Sequence, residues 1–178
     1  DTIKGMKMKS KIITEKVSSA ALFDFGIDLY LGRKISVDKE GAAKYFKKAS
    51  SLGDGTAMNN YAVMLRNGEG VPVNKEEATK YYRMSIDKGN SDAMYGYAIM
   101  LQNGEGIPVN KEEAIKYYKM SIDKGNSDAM SNYAAMLQAG DGVPVNKKEA
   151  IKYYKMSIDK GNSDAMYNYA IMLQNGEG

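Results

Sequence analysis

NSDAMYGYAIMLQNGEGIPVNKEEAIKYYKMSIDKG, residues 90–125, is followed at once by NSDAMSNYAAMLQAGDGVPVNKKEAIKYYKMSIDKG, residues 126–161. Two tandem near-copies of a 36-residue block decide the architecture. A fixed period of roughly 20–50 residues marks a solenoid or array whose units bury their apolar faces on their neighbours. An enzyme core is the wrong first expectation for such a chain. The phase runs outward in both directions: Gly53, Gly89, Gly125 and Gly161 stand 36 apart, as do Phe25, Tyr61, Tyr97, Tyr133 and Tyr169. Units span 20–55, the most divergent, then 56–91, 92–127 and 128–163, with a half-unit at 164–178. In the half-unit Ala165, Met166, Tyr169, Ala170 and Leu173 form an apolar helix face with no following helix. Such a face predicts either a longer parent protein or another chain covering this end. Residues 1–19 precede the array as an N-terminal helical or partly ordered extension.

Within the unit from Asp92, apolar residues fall at Ala93, Met94, Tyr97, Ala98 and Leu101, one side of a helix, here termed helix A. Asn90 and Ser91 supply N-cap chemistry, Asp92 complements the positive helix end, and Asn103-Gly104 closes the helix. A second helix, B, opens at Asn110-Lys-Glu-Glu113, where the Asn side chain accepts from the N3 amide and Glu113 reaches back. Asn74/Glu77 and Asn146/Glu149 repeat this box. Ala114, Tyr117, Tyr118, Ser121 and Ile122 make the buried stripe of helix B, Glu112 pairs with Lys116 on the wet side, and Gly125 caps the end. Short loops make the two helices an antiparallel hairpin, so the fold class is all-α.

Composition narrows the function. With 43% hydrophobic and 26% charged residues the chain has the make-up of an ordered globular protein. No apolar run is long enough to span a bilayer, and no signal-peptide pattern is present. Without cysteine there are no disulfides or thiolate metal sites, and without N-x-Ser/Thr sequons the cytoplasm is the expected compartment, the endoplasmic-reticulum lumen being the alternative. Without histidine, Ser-His and Cys-His nucleophile pairs and HExxH zinc sites are impossible. The net charge of +3 lies wholly in residues 1–19, five lysines against Asp1 and Glu15, so the neutral repeats offer no phosphate-binding face for nucleic acid. No cofactor is expected. The 14 tyrosines and 13 methionines mostly recur with the period, as Met84, Met120 and Met156 do, and read as packing residues.

The spaced pattern of Ala57, Gly68, Gly70, Val71, Ala78, Tyr82 and Gly89, recurring in the next two units, resembles the Sel-1-like repeat, a relative of the tetratricopeptide repeat. The resemblance covers residues 20–178. Departures exist, mostly at packing positions: Tyr97 for the usual Leu, Leu101 where Tyr is frequent, Tyr117 for Trp and Ser121-Ile122 for paired Ala, with Asn110 for Asp at the start of helix B. The resemblance implies a right-handed α-α superhelix of helix hairpins, working without catalysis as an adaptor that holds protein segments on its concave surface. It also admits a cytosolic signalling role, a regulatory array attached to a kinase-type domain, or a luminal adaptor.

Units 92–127 and 128–163 differ at seven positions. Tyr95/Ser131, Ile99/Ala135 and Asn103/Ala139 lie at i, i+4 and i+8 on helix A, opposite its core stripe, with Gly96/Asn132 beside them. By resemblance, that side of helix A lines the inner groove. Tyr95, Ile99, Tyr167 and Ile171 place aromatic and aliphatic groups on a face the core does not use, as interaction sites do. Asn59, Val63, Arg66 and Asn67 in one unit, Gln102 and Asn103 in the next, and Ser131, Ala135, Gln138 and Gln174 beyond complete a mixed groove with amides suited to a peptide backbone. The expected partner is a protein or peptide segment, with homo-association through the open end at 164–178 as the alternative.

Three look-alike motifs carry no chemistry. Ser121-Ile-Asp-Lys124 fits the S-x-x-K pattern of penicillin-binding enzymes, but it recurs at Ser85/Lys88 and Ser157/Lys160, and a nucleophile needs one preorganised site. Asp123 to Asp128 has a likeness to a calcium loop whose twelfth position is Ala134, without the bidentate acid. Gly68-Glu-Gly70 is too short for a phosphate cradle.

Overall fold

The computed structural model describes residues 17–33 and 35–177; most of the N-terminal extension therefore lies outside the described residues. Among those described there are nine helices and no strand: α1 (Ser19–Leu31), α2 (Lys39–Ser51), α3 (Gly55–Asn67), α4 (Lys75–Asp87), α5 (Ser91–Asn103), α6 (Lys111–Asp123), α7 (Ser127–Ala139), α8 (Lys147–Ile158) and α9 (Ser163–Gln174). Odd-numbered helices are type A and even-numbered ones type B. Each packs mainly on its neighbours in sequence, most extensively within a pair, giving a solenoid of hairpins with α9 unpaired at its end.

Local chemistry sets the helix ends. Asn90 Oδ1 accepts from the Ala93 amide and Asn126 Oδ1 from Ala129, each at 2.9 Å. The A-type helices α1, α3, α5 and α7 stop at a glycine in the left-handed region, φ 75° at Gly68 and 71° at Gly104, where a side chain would be strained. B-type helices end differently from the expectation. Lys124, with φ −91°, is the cap of α6, and Gly125 is the left-handed residue after it, at φ 84°. The capping box is also modified. Asn110 Oδ1 accepts from the Glu113 amide at 3.0 Å, but Glu113 does not reach the Asn110 backbone. That amide donates to Leu101 O at 2.8 Å, tying the start of helix B to the end of helix A, and the Glu113 carboxylate takes the Asn110 side-chain amide instead.

The core runs the length of the array. Ala93, Met94, Tyr97, Ala98 and Leu101 are buried, as are Ala114, Tyr118, Ser121 and Ile122. Tyr117, assigned to the same stripe, is partly buried, its ring edge-on to Tyr97 at 4.8 Å between centroids. Met64, Met100 and Met136, outside the expected stripe, are among the most buried residues, filling the gap between one unit and the next. Ser85, Ser121 and Ser157 are wholly buried, and their hydroxyls donate to Gly55, Ser91 and Ser127 carbonyls at 2.6–2.8 Å. The S-x-x-K serine is thus a bolt between paired helices. On α9, Ala165 and Met172 are buried while Met166, Ala170 and Leu173 are exposed.

Candidate functional site

The face of the A helices opposite the core stripe is built from columns of residues one period apart. Its best-defined feature is a ladder of polar contacts joining successive units. Tyr30 Oη and Lys39 Nζ donate to Glu69 Oε2 at 2.6 and 2.7 Å. One unit on, Arg66 grips Glu105 with two bonds of 2.9 Å, and Lys75 lies 3.5 Å from the same carboxylate. Gln102 donates to Asp141 at 2.9 Å, and Lys111 pairs with that acid. Gln138 and Lys147 donate to Glu177 at 3.3 and 2.9 Å. The donors hold the acids ionised: Lys39, Tyr30 and Asn67 bring Glu69 down to about 2, and chiefly Arg66 does the same for Glu105. Lys111 and Gln102 lower Asp141, and Lys147 lowers Glu177.

Several residues assigned to the groove are therefore engaged within the fold. Arg66 is committed to Glu105. Gln102 and Gln138 accept from the Tyr118 and Tyr154 hydroxyls at 2.7 and 3.1 Å while donating to the ladder acids. Asn59 and Ser131 are buried, 7% and 3% exposed, and present little to a ligand. Tyr95 is partly buried on Tyr118, and its hydroxyl accepts from Asn132 at 3.4 Å. Val63, Ile99, Ala135 and Ile171 are partly exposed, Asn67, Asn103 and Gln174 exposed, and Tyr167 stands 68% exposed on α9.

Between neighbouring A helices the face opens into slots. Ile99, Gln102 and Asn103 of α5 meet Ala135 of α7 around a space of roughly 450 Å³, with Asn132, Met136, Ala139 and Asp141 completing the walls. A second slot of roughly 210 Å³ lies between α1 and α3, lined by Ile27, Tyr30, Leu31, Asn60, Val63 and Met64, with Phe46 of α2. Ile27 and Leu31 were absent from the expected groove because unit 20–55 diverges in letters, yet they stand one period before Val63 and Asn67. The ladder acids were missed because donor and acceptor lie 39 residues apart, a period plus three. No group of three or more His, Cys, Asp or Glu side chains among the described residues is arranged to hold a metal. No helix among them is long and apolar enough to cross a membrane.

The Sel1 repeat family matches residues 19–54, 55–90, 91–126, 127–162 and 163–178. The fold is similar to that of a protective antigen of uropathogenic Escherichia coli strains displaying an SLR fold, with TM-score 0.78 and 25% identity over 89% of this chain and 34% of that one. It is equally similar to a Sel1 repeat protein from Oxalobacter formigenes, with TM-score 0.78 and 26% identity over 83% of this chain and 60% of that one. The chain thus spans about a third and three fifths of those two proteins. Helicobacter pylori cysteine rich protein B shares the fold more loosely, with TM-score 0.52 and 22% identity over 58% of this chain and 77% of that one. No curated protein sequence matches it.

Proposed function

Because the chain belongs to the Sel1 repeat family, a family of non-catalytic scaffolds that mediate protein–protein interaction, we propose that it holds a partner segment along the slotted face of its A helices. One observation carries this reading. The ladder between units takes up Arg66, Glu69, Glu105 and Asp141, while Val63, Ile99, Ala135 and Ile171 leave apolar surface partly open in a line beside exposed Asn67, Asn103 and Gln174. Apolar side chains flanked by amides suit an extended backbone, whose side chains enter the slots while its peptide groups meet the amides. An adaptor working in the cytoplasm, in signalling, is the setting we favour for a chain without cysteine or glycosylation sequons.

A photo-crosslinking amino acid placed at Ala135 should capture the partner, and the same group at Met120, exposed on helix B, should not. Ile99→Ala combined with Ala135→Arg should weaken binding by about tenfold or more. Equal capture at both positions would move the site off this face.

A second reading is favoured by α9. Met166 and Leu173 are 46% and 51% exposed, whereas their counterparts Met130 and Leu137 are 2% and 3% exposed. A second copy seated on α9 would cover them, and its signature is amide protection in α9 that rises with protein concentration.

A further inference from the structure

The two slots occupy the same place in the repeat, two periods apart, but their chemistry differs. Ile27 corresponds to Ile99, Leu31 to Asn103, Val63 to Ala135 and Tyr30 to Gln102. Between α1 and α3 the walls are mainly apolar, Ile27, Leu31, Val63 and Met64 with the rings of Tyr30 and Phe46, Asn60 being the one amide among them, and Leu31 is 48% exposed at the rim. Between α5 and α7 the walls carry Asn103 and Asn132 beside Gln102, whose amide is already bonded to Tyr118 and Asp141, and the small Ala135 and Ala139 leave room beside them. The single carboxylate in the second slot, Asp141, is held by Lys111 and Gln102, and the stretch between the slots is crossed by the Arg66–Glu105 pair. Asp24, exposed on α1 one turn before Ile27, stands outside the first slot. A charged side chain entering either slot would lose water without gaining an available counter-ion.

Resting on the scaffold reading above, we infer that the segment bound here is uncharged and extended, with one bulky aliphatic or aromatic side chain seated between α1 and α3 and a carboxamide or hydroxyl side chain between α5 and α7. Successive A helices flank an open slot, so each repeat step is at least the roughly 10 Å of packed helices, and two steps make about 20 Å or more. Extended chain rises about 3.4 Å per residue, which places the two side chains at least about six residues apart. The slots differ enough to fix the direction in which the segment lies. Binding strength comes mainly from the apolar anchor, and selection against charged sequences comes from a groove whose own charges are already paired.

The test is a phage-displayed library of random peptides, each about 12 residues and so long enough to span both slots, panned on the immobilised protein. Recovered sequences are synthesised with a fluorophore and titrated by polarisation. The expected consensus is free of Asp, Glu, Lys and Arg, with one Leu, Ile, Phe or Met and an Asn, Gln, Ser or Thr about six or more residues away. Replacing the anchor by Ala, or making Leu31→Glu or Ala135→Arg in the protein, should each weaken binding by about tenfold or more. Val63→Thr keeps the shape of the first slot, so a loss there reports apolarity even if Leu31→Glu disturbs α1, which circular dichroism would reveal. Peptides that lose affinity on Ala135→Arg but are rich in charge, or that ignore loss of their anchor, overturn this inference and leave the scaffold reading standing. Peptides indifferent to every groove substitution, or no recovered peptide, overturn both.

Discussion

Gly96 differs from its counterparts Asn60, Asn132 and Asn168, and what replaces their side chain is a neighbouring ring. A Cβ added at Gly96 would lie 2.6 Å from Tyr82 Cε1 and 2.9 Å from its hydroxyl. Tyr82 is 1% exposed, so a side chain at Gly96 would have to push its ring into a packed core. Ala at a helix interior would ordinarily gain about 1 kcal/mol over Gly. Overpacking a full core costs about 1–3 kcal/mol, and here it should win. Gly96→Ala is expected to lower the urea midpoint, with a net loss of about 1 kcal/mol; an unchanged or higher midpoint would show that the ring yields. In the sequence Gly96 is only one of the letters that vary between units. That it faces a tyrosine of the preceding helix is a tertiary fact, as is the burial of Asn59 and Ser131, which sit on the same helix side as the more open Ile99 and Tyr167.

The helices themselves were legible because their signals are local. A cap residue and the amide it binds are three positions apart, as in Asn90 to Ala93, and the apolar stripe repeats every few residues. Where a backbone group finds its partner in another element, local reading fails: the Asn110 amide goes to Leu101 O, so Glu113 does not complete its box. The ladder joining the A helices is legible only once periodicity and folding are combined, and it governs how the elements respond to acid. Glu69 and Glu105 titrate at about 2 in the folded chain, against about 4.3 for an unfolded glutamate. Protonation therefore favours the unfolded chain. The stabilisation is fully present above the unfolded value and is lost as pH falls through the folded one. Glu105→Gln should cost about 1–2 kcal/mol near neutrality, less than the full shift implies because solvent still reaches the pair. Urea midpoints measured from about pH 6 to pH 2 should fall less steeply for this variant than for the parent; parallel curves would remove the Arg66–Glu105 bond from the stability of the array.

At the scale of the whole molecule, stability is a sum of units and of the interfaces between them, so it need not be uniform along the axis. α5 is flanked by α4 and α6, and Tyr97, Met100 and Leu101 are buried there. α9 packs mainly on α8, and among its large apolar side chains Met172 is buried while Met166, Tyr167 and Leu173 are exposed. Its opening free energy should therefore be the lower of the two, because less apolar area is uncovered when it detaches. Native-state hydrogen exchange at low protein concentration should show α9 amides exchanging faster than those of α5 by about tenfold or more. Leu137→Ala, at a buried position, should lower global stability by about 2–5 kcal/mol, whereas Leu173→Ala should change it by less than about 0.5. Concentration then separates the two readings of the open face. If α9 remains exposed in solution, its exchange is independent of protein concentration. If a second copy seats on it, protection in α9 grows with concentration while α5 stays constant, and Leu173→Glu abolishes the growth without moving the α5 rates.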